Sequence, residues 1–415
     1  MLNEKKEREL AYTVQIDAIE PIVGSDNCEA AVVGGWKIMV RKGTFKPGDI
    51  AIYFEIDSKL PEEEPFMFLA SKHFKVKTQK YTFGGKGNFI SQGLLMHFND
   101  FQDEYGAVPA WMGAYNTQLM LTGRFETLFL TKALKVTYSV AEDNKRKSNI
   151  TKYDKMYQRH IKLFKKYKIL RRIYKHKLGK KFLFIFLGRK KDSFTWPSWV
   201  FKTDEERCQN LPQYFPGNAE EWIVTEKIDG SSTTFTMKRH GRNKFDFYVC
   251  SRNVCFDKPE KVDKCYYDTN IYLEMAEKYH IEDVLKEILK KEKDLEFITI
   301  QGETFGDGIQ KRTYGLKNKE HDFRAFNLIF GYKDKQERKD SRYARMYLAQ
   351  YGIPFVPILD IAYKIPETCE QLLEYAGSEP SKLDGGLREG IVLRDKNGVK
   401  SFKAVDNSFL LKYHQ

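Results

Sequence analysis

The chain has 415 residues, 41% of them hydrophobic and 14% aromatic, which gives room for two or three folded domains and excludes a disordered polyelectrolyte despite a net charge of +13. No run approaches the ~20 apolar residues of a membrane span, and the charged start from Met1 to Glu9 holds no apolar signal core. Six cysteines, at 28, 208, 250, 255, 265 and 369, show no Cys-x-x-Cys spacing, which excludes a zinc ribbon or a disulfide scaffold and predicts reduced thiols in an intracellular protein.

Residues 10–60 predict strands at Ala11–Ile19, Glu29–Val33, Trp36–Arg41 and Asp49–Ile56. Gly34-Gly35 makes a tight hairpin, Lys46-Pro47-Gly48-Asp49 a second turn, and Gly93-Leu94-Leu95-Met96 a later strand. Short strands with glycine turns suit a small OB-type β-barrel, expected over residues 1–140. Such barrels track nucleic acid or brace a neighbouring domain, and Trp36, Lys37 and Arg41 serve either purpose. Further on, Glu62-Glu63-Glu64 is followed by the basic, aromatic Lys72-His73-Phe74-Lys75-Val76-Lys77. The glycine run Gly84-Gly85-Lys86-Gly87 lacks the Lys-Ser/Thr ending of a phosphate-binding P-loop and predicts a flexible hairpin.

The positive charge is local. From Ala141 to Ser193 there are 19 Lys/Arg against 4 Asp/Glu, a charge of +15, so the remainder carries −2. Between Asn149 and Leu178 apolar residues such as Tyr153, Tyr157, Ile161, Phe164 and Tyr174 recur at three- and four-residue steps, the period of an amphipathic helix with a basic opposite face. Phosphates of RNA would relieve the repulsion along that face. Attachment to an anionic membrane surface is the competing reading, since Phe182-Leu183-Phe184-Ile185-Phe186-Leu187 is strongly apolar; those six residues also fit a buried strand or helix packing. The segment 141–195 is expected to be a basic helical linker, ended by Trp196-Pro197.

Beyond it, Thr203 or Asp204 is placed to cap a helix with acids in its first turn. The stretch Glu221-Trp222-Ile223-Val224-Thr225-Glu226-Lys227-Ile228-Asp229-Gly230-Ser231-Ser232 predicts an apolar strand that ends on a lysine, an acid and a glycine turn. Burying an ammonium costs several kcal/mol unless it is paired or deprotonated, so Lys227 reads either as a nucleophile of lowered pKa or as a surface lysine paired with Asp229. The Gly230-Ser231-Ser232 turn would let a phosphate approach backbone N–H groups.

Downstream stand Cys250-Ser251-Arg252-Asn253, Gln301-Gly302-Glu303-Thr304-Phe305-Gly306, Asp322-Phe323-Arg324-Ala325-Phe326-Asn327, Arg388-Glu389-Gly390-Ile391-Val392-Leu393-Arg394 and Ser401-Phe402-Lys403. In order and spacing these motifs resemble those of the covalent nucleotidyltransferases, and in wording the ATP-dependent RNA ligases that carry an N-terminal OB module. The resemblance is strong over 201–415 and moderate over 10–100. It implies an α+β chain with a ligase domain of ATP-grasp-like antiparallel sheets and helices over 196–415. It implies an enzyme joining 3′-OH and 5′-phosphate RNA ends, at nicks in a duplex, through a lysine-AMP intermediate and an RNA-adenylate.

By the same resemblance Lys227 is the nucleophile toward the ATP α-phosphate, Arg252 lies near the nucleotide sugar and phosphates, and Lys403 contacts the α-phosphate. Asp229, Glu303 and Glu389 supply oxygen ligands for Mg²⁺ or Mn²⁺, in part through water, and Glu303 alternatively holds the ribose hydroxyls. Phe326 stacks on adenine, with Phe323 as the fallback, and Glu226 accepts from the adenine amino group, favouring ATP over GTP. The family's second lysine has no direct match beside Lys403, and Lys400 and Lys412 are the candidates. DNA ligases and capping enzymes continue into a further OB domain, so a chain ending a dozen residues after Lys403 is expected to be an RNA ligase, with RNA held by the N-terminal barrel and the basic segment; a monomer is expected. The alternatives are a DNA ligase and a non-catalytic RNA-binding protein with a relict nucleotide pocket.

Overall fold

The computed structural model describes residues 1–4, 6–83, 87–102, 108–122 and 124–138; 153, 157, 163–164, 167–187 and 193–194; and 196–217, 219–241, 243–256 and 270–414. The glycine run at 84–86, Cys265 and much of the basic segment lie outside the described residues.

The N-terminal strands are β1 (Ala11–Gln15), β2 (Ala18–Pro21), β3 (Cys28–Val33), β4 (Trp36–Arg41), β5 (Ile50–Phe54), β6 (Ser58–Lys59), β7 (Thr78–Thr82), β8 (Asn88–Gln92) and β9 (Leu94–Met96). Antiparallel sheets β1-β5-β9 and β2-β3-β4 close over one core in which Tyr12, Trp36 and Tyr53 pack edge and tilt at 5.6–5.7 Å. The strand expected across residues 11–19 is two. The Ile16 N–H donates to the Asp49 carbonyl of the first sheet and the Asp17 N–H to the Val32 carbonyl of the second, so the chain changes sheets at this corner. Both predicted turns form, with Gly34 at φ +55° and the Asp49 N–H donating to Lys46 O. Together these strands make the OB-fold domain.

The amphipathic segment is not one helix through Leu178. Among the described residues it contains α2 (Lys168–Tyr174) and α3 (Lys177–Leu187), with Tyr167 in an extended conformation and a break at Lys175-His176; α1 (Ala110–Thr122) precedes them. Folding back buries Phe164 against Leu183, with Leu170, Ile173 and Tyr174 around them, which a straight helix would leave in water. Phe182–Leu187 is accordingly helical rather than a strand.

The remaining strands are β10 (Thr137–Tyr138), β11 (Ser193–Phe194), β12 (Glu206–Arg207), β13 (Glu221–Lys227), β14 (Ser231–Gly241), β15 (Lys244–Ser251), β16 (Cys255–Phe256), β17 (Phe297–Gly306), β18 (His321–Gly331), β19 (Gln336–Arg338), β20 (Ile358–Lys364), β21 (Gly390–Asp395) and β22 (Ser401–Val405). A seven-stranded sheet runs β11-β16-β15-β14-β17-β18-β19 and a five-stranded one β12-β22-β21-β13-β20. Helices α4 (Ile271–Lys278), α5 (Ile281–Lys291) and α6 (Ser341–Ala349) cover the larger sheet through Ile288, Ile298, Phe235 and Leu348. Helix α7 (Cys369–Gly377) covers the smaller through Leu372, Trp222, Val224 and Phe402. Side chains alternate along β13, so Trp222 and Val224 face α7 while Ile223, Thr225 and Lys227 face the opposite side. No Thr203 or Asp204 helix cap forms, because the chain continues into β12. No disulfide joins the described cysteines, and Cys208 and Cys369 lie 3.6 Å apart at sulfur.

The two domains share more than a linker. Val405 and Leu410, the latter on α8 (Asn407–Tyr413), enter the OB core. The Gly35 N–H donates to Gln209 O at 2.8 Å, Trp36 Nε1 to Asn210 Oδ1 at 2.6 Å, and Lys37 pairs with Glu370 at 3.2 Å. Beneath them Glu55 and Asp57 are buried; Arg8 reaches Glu55 at 3.1 Å, and Arg207 of the C-terminal domain reaches Asp57 at 3.4 Å. Burial works against both carboxylates, but the N-terminal ammonium and Arg8 on Glu55, and His414, Arg8 and Arg207 on Asp57, hold them well below the usual range. Asp57→Ala leaves buried cations without their acid and is expected to cost about 3–5 kcal/mol of stability at pH 7. Because the folded pKa is depressed, that stabilisation is fully present above the unfolded value and lost as pH falls through the folded one, so the difference in denaturant unfolding between the two proteins should begin to narrow only below about pH 4 and close well below it.

Candidate active site

Lys227 ends β13 directly opposite Gly390 of β21, at the floor of a cleft of about 670 Å³. The size suits a nucleotide-scale ligand. Its walls come from both sheets and from the OB domain, which contributes Arg8 and Asp57. Gly230 is required at the turn: a Cβ there would meet the Thr304 carbonyl and lie 2.9 Å from Glu303 Cγ. The missing side chain lets the 228–230 turn lie on β17, which brings Asp229 and Glu303 to the same wall.

The lysine is paired, but with Glu389 rather than Asp229. Its Nζ donates to Glu389 Oε1 at 2.6 Å, and the other oxygen, Oε2, is buried without a partner. Burial pulls the ammonium pKa down, yet Glu389, Glu303 and Asp229 outweigh it and the net shift is upward. The depressed amine expected from the sequence is thus not built by the protein alone. The acids bear the cost. Burial pushes Glu303 up to about 8 against the pull of Lys227, and burial with Glu389 raises Asp229.

Two carboxyls, Glu303 and Asp229, held above their ordinary range beside the orphaned Glu389 oxygen make a site short of positive charge. No three His, Cys, Asp or Glu among the described residues enclose a metal directly. The donor set fits a hard divalent cation held by one or two of Glu389, Glu303 and Asp229, with water and substrate phosphate completing its shell.

The lysine whose surroundings do lower its pKa is Lys403. On β22 opposite Val392 and lining the same cleft, it is pushed down to about 7 by burial and by Arg207 and Arg8. Arg252 lies at the cleft wall in a two-pronged pair with Asp204, Nη2 to Oδ1 at 2.6 Å and Nε to Oδ2 at 3.1 Å. Phe326 lines the cleft with the Arg394 guanidinium 5.6 Å over its ring, whereas Phe323 is fully buried against Phe235. The fallback aromatic is therefore core. Glu226 also borders the cleft, but its carboxylate accepts from Ser381 Oγ and from the Lys382 N–H at 2.8 Å, bracing that loop.

Lys400 and Lys412 are not brought in. Lys400 sits where β22 begins and pairs with Glu220, just before the start of β13 and so at the opposite end of that strand from Lys227. Lys412 is exposed on α8 beside Tyr413. The sequence reading missed Arg8, Asp57, Tyr138, Arg207, Arg394 and His414. Arg394 ends a recognised motif and Arg207 follows Thr203-Asp204 closely, so both were within reach; Arg8, Asp57 and Tyr138 become cleft residues only through domain docking.

Residues 220–414 match the family of RNA ligases, and residues 10–97 match an OB-fold domain family. Among solved structures the chain is similar to Naegleria gruberi RNA ligase with pyrophosphate, at 24% identity and a TM-score of 0.67, over 98% of this chain and 99% of that one. Mutants of the same Naegleria enzyme with AMP and Mn and with ATP and Mn match at 24% identity, TM-scores 0.67 and 0.66, over 98% of this chain and 99% and 100% of theirs. No curated protein matches. The class is a two-domain ligase fold, an OB domain followed by a ligase domain. Residues 220–414 form a domain of the RNA ligase family, the enzymatic part of the chain, behind the OB-fold domain.

Because Glu303 holds its proton up to about pH 8, a cation bound there must displace it. Affinity for Mn²⁺ should therefore rise with pH through that value and flatten above it. Calorimetry in two buffers of different ionisation heat should show proton release at pH 7 that Glu303→Gln removes.

Proposed function

We propose that the chain is an ATP- and divalent-metal-dependent RNA ligase that joins 3′-OH and 5′-phosphate ends at nicks through AMP carried on Lys227. The observation that carries this reading is one lysine at a strand end, facing three carboxylates and flanked in the same cleft by Lys403, Arg252 and Phe326. The Naegleria complexes with ATP, AMP and Mn support the choice of nucleotide and metal. Mg²⁺ has the same oxygen preference.

A bound divalent cation would neutralise the carboxylates and favour the free amine of Lys227. Lys227 gives up its proton to solvent and attacks the α-phosphorus; a P–N bond forms, the α–β P–O bond breaks, and pyrophosphate leaves. Lys403 and Arg252 offset charge on the α-phosphate as it transfers, Phe326 stacks on the base, and Glu226 fixes the wall at the purine edge. Next a 5′-phosphate oxygen of RNA attacks the same phosphorus, the P–N bond breaks, and Lys227 regains a proton. Finally the 3′-OH, losing its proton, attacks the 5′-phosphate and AMP departs. Asp204 acts by holding Arg252, and the OB domain supplies part of the RNA surface.

Incubation with ATP labelled at the α-phosphate and Mg²⁺ should give an acid-stable, pyrophosphate-reversible label on the protein that Lys227→Ala abolishes. Absence of label, or label in the variant, contradicts the reading. Phe326→Ala should weaken nucleotide binding by about tenfold or more, the scale of one base–aromatic stack. Replacing RNA by DNA on the 3′-OH side of a nick should suppress sealing; equal sealing would make the enzyme a DNA ligase.

A further inference from the structure

The helical hairpin of the basic segment has a surface that the ligase chemistry does not use. Between residues 167 and 187 there are seven Lys/Arg and no Asp/Glu. The pair already has its own small core, Phe164 against Leu183. Nevertheless α3 leaves Leu178 79%, Phe182 55% and Ile185 53% exposed, and α2 leaves Ile169 67% exposed. Positions 178, 182 and 185 recur at four and three residues and form one stripe along α3. Exposed Arg171, Arg172, Lys175, Lys177 and Lys181 belong to the same hairpin.

Each possible occupant satisfies a different part of this surface. RNA phosphates would satisfy the cations but offer no apolar counterpart to Leu178 and Ile185. A second copy would cover the stripe while bringing two strongly positive hairpins together. An anionic lipid surface satisfies both at once, with headgroups for the Lys/Arg and the acyl boundary for the stripe. The eleven residues of α3 reach about 16 Å, half of a ~30 Å hydrocarbon core, so the helix would lie in the interface plane. That agrees with the finding that no helix among the described residues is long and apolar enough to cross a membrane.

We propose that the α2–α3 hairpin docks the enzyme on anionic bilayers, with Leu178, Phe182 and Ile185 inserted at the acyl boundary and the Lys/Arg side chains on the headgroups. The site is independent of the adenylate cleft.

The test is flotation of the full chain with vesicles of phosphatidylcholine alone or mixed with phosphatidylserine. The protein should float with the mixed vesicles and not with the neutral ones. The triple substitution Leu178→Ser, Phe182→Ser, Ile185→Ser should lower the bound fraction at least about tenfold. An unchanged thermal unfolding midpoint for that variant shows that it remains folded. If it unfolds, Phe182→Ser with Ile185→Ser replaces it. No flotation of the wild type, or equal flotation of the triple variant, overturns the proposal. So does a loss of duplex-RNA binding in the triple variant with vesicle binding unaltered, which would assign the hairpin to RNA.

Discussion

The structure turns on a charge imbalance at the end of one strand. Lys227 is an ammonium facing Glu389, Glu303 and Asp229, and Glu389 holds it at 2.6 Å. Desolvation alone would free the amine, but three acids overrule it. The protein by itself therefore holds Lys227 as an ammonium and the Asp229 and Glu303 carboxyls above their ordinary range. A cation entering there would relieve both, which under the proposed function would link activation of the lysine to loading of the site.

The rest of the architecture keeps that wall in place. Gly230 permits the contact between turn and strand that sets Asp229 beside Glu303, and the pairing of β13 with β21 sets Lys227 opposite Gly390, next to Glu389. The OB domain is part of this frame, because its Arg8 and Asp57 reach the cleft and its core accepts Val405 and Leu410 from the chain's last strand and helix. Arg8 and Arg207 also lower Lys403, so a residue of the first domain adjusts the charge of a lysine in the second.

What the sequence made legible follows the range of the interactions involved. Strand–turn patterns of the N-terminal half and the motifs around Lys227, Arg252, Glu303, Phe326, Glu389 and Lys403 are local, and the structure gathers all of them in one cleft. Long-range features were not legible. The sheet change at Ile16-Asp17 depends on carbonyls of Asp49 and Val32, and the break in the basic helix depends on Phe164 meeting Leu183. Lys400 is near Lys403 in sequence, but where β22 begins it is carried away from the cleft. The partner of Lys227 could not be chosen from sequence either, since Asp229 is two residues away and Glu389 is brought in only by strand pairing.

The central claim concerns the ionisation of one side chain. Titration of the Lys227 ε-carbon by NMR in lysine-labelled protein, assigned with Lys227→Arg and repeated with Mg²⁺ and a non-hydrolysable ATP analogue, measures it directly. The account predicts a metal-free pKa above the ordinary lysine value of about 10.4 and a fall when metal and nucleotide bind. A lysine already neutral at pH 7 in the metal-free protein, or one unmoved by metal and nucleotide, would contradict it.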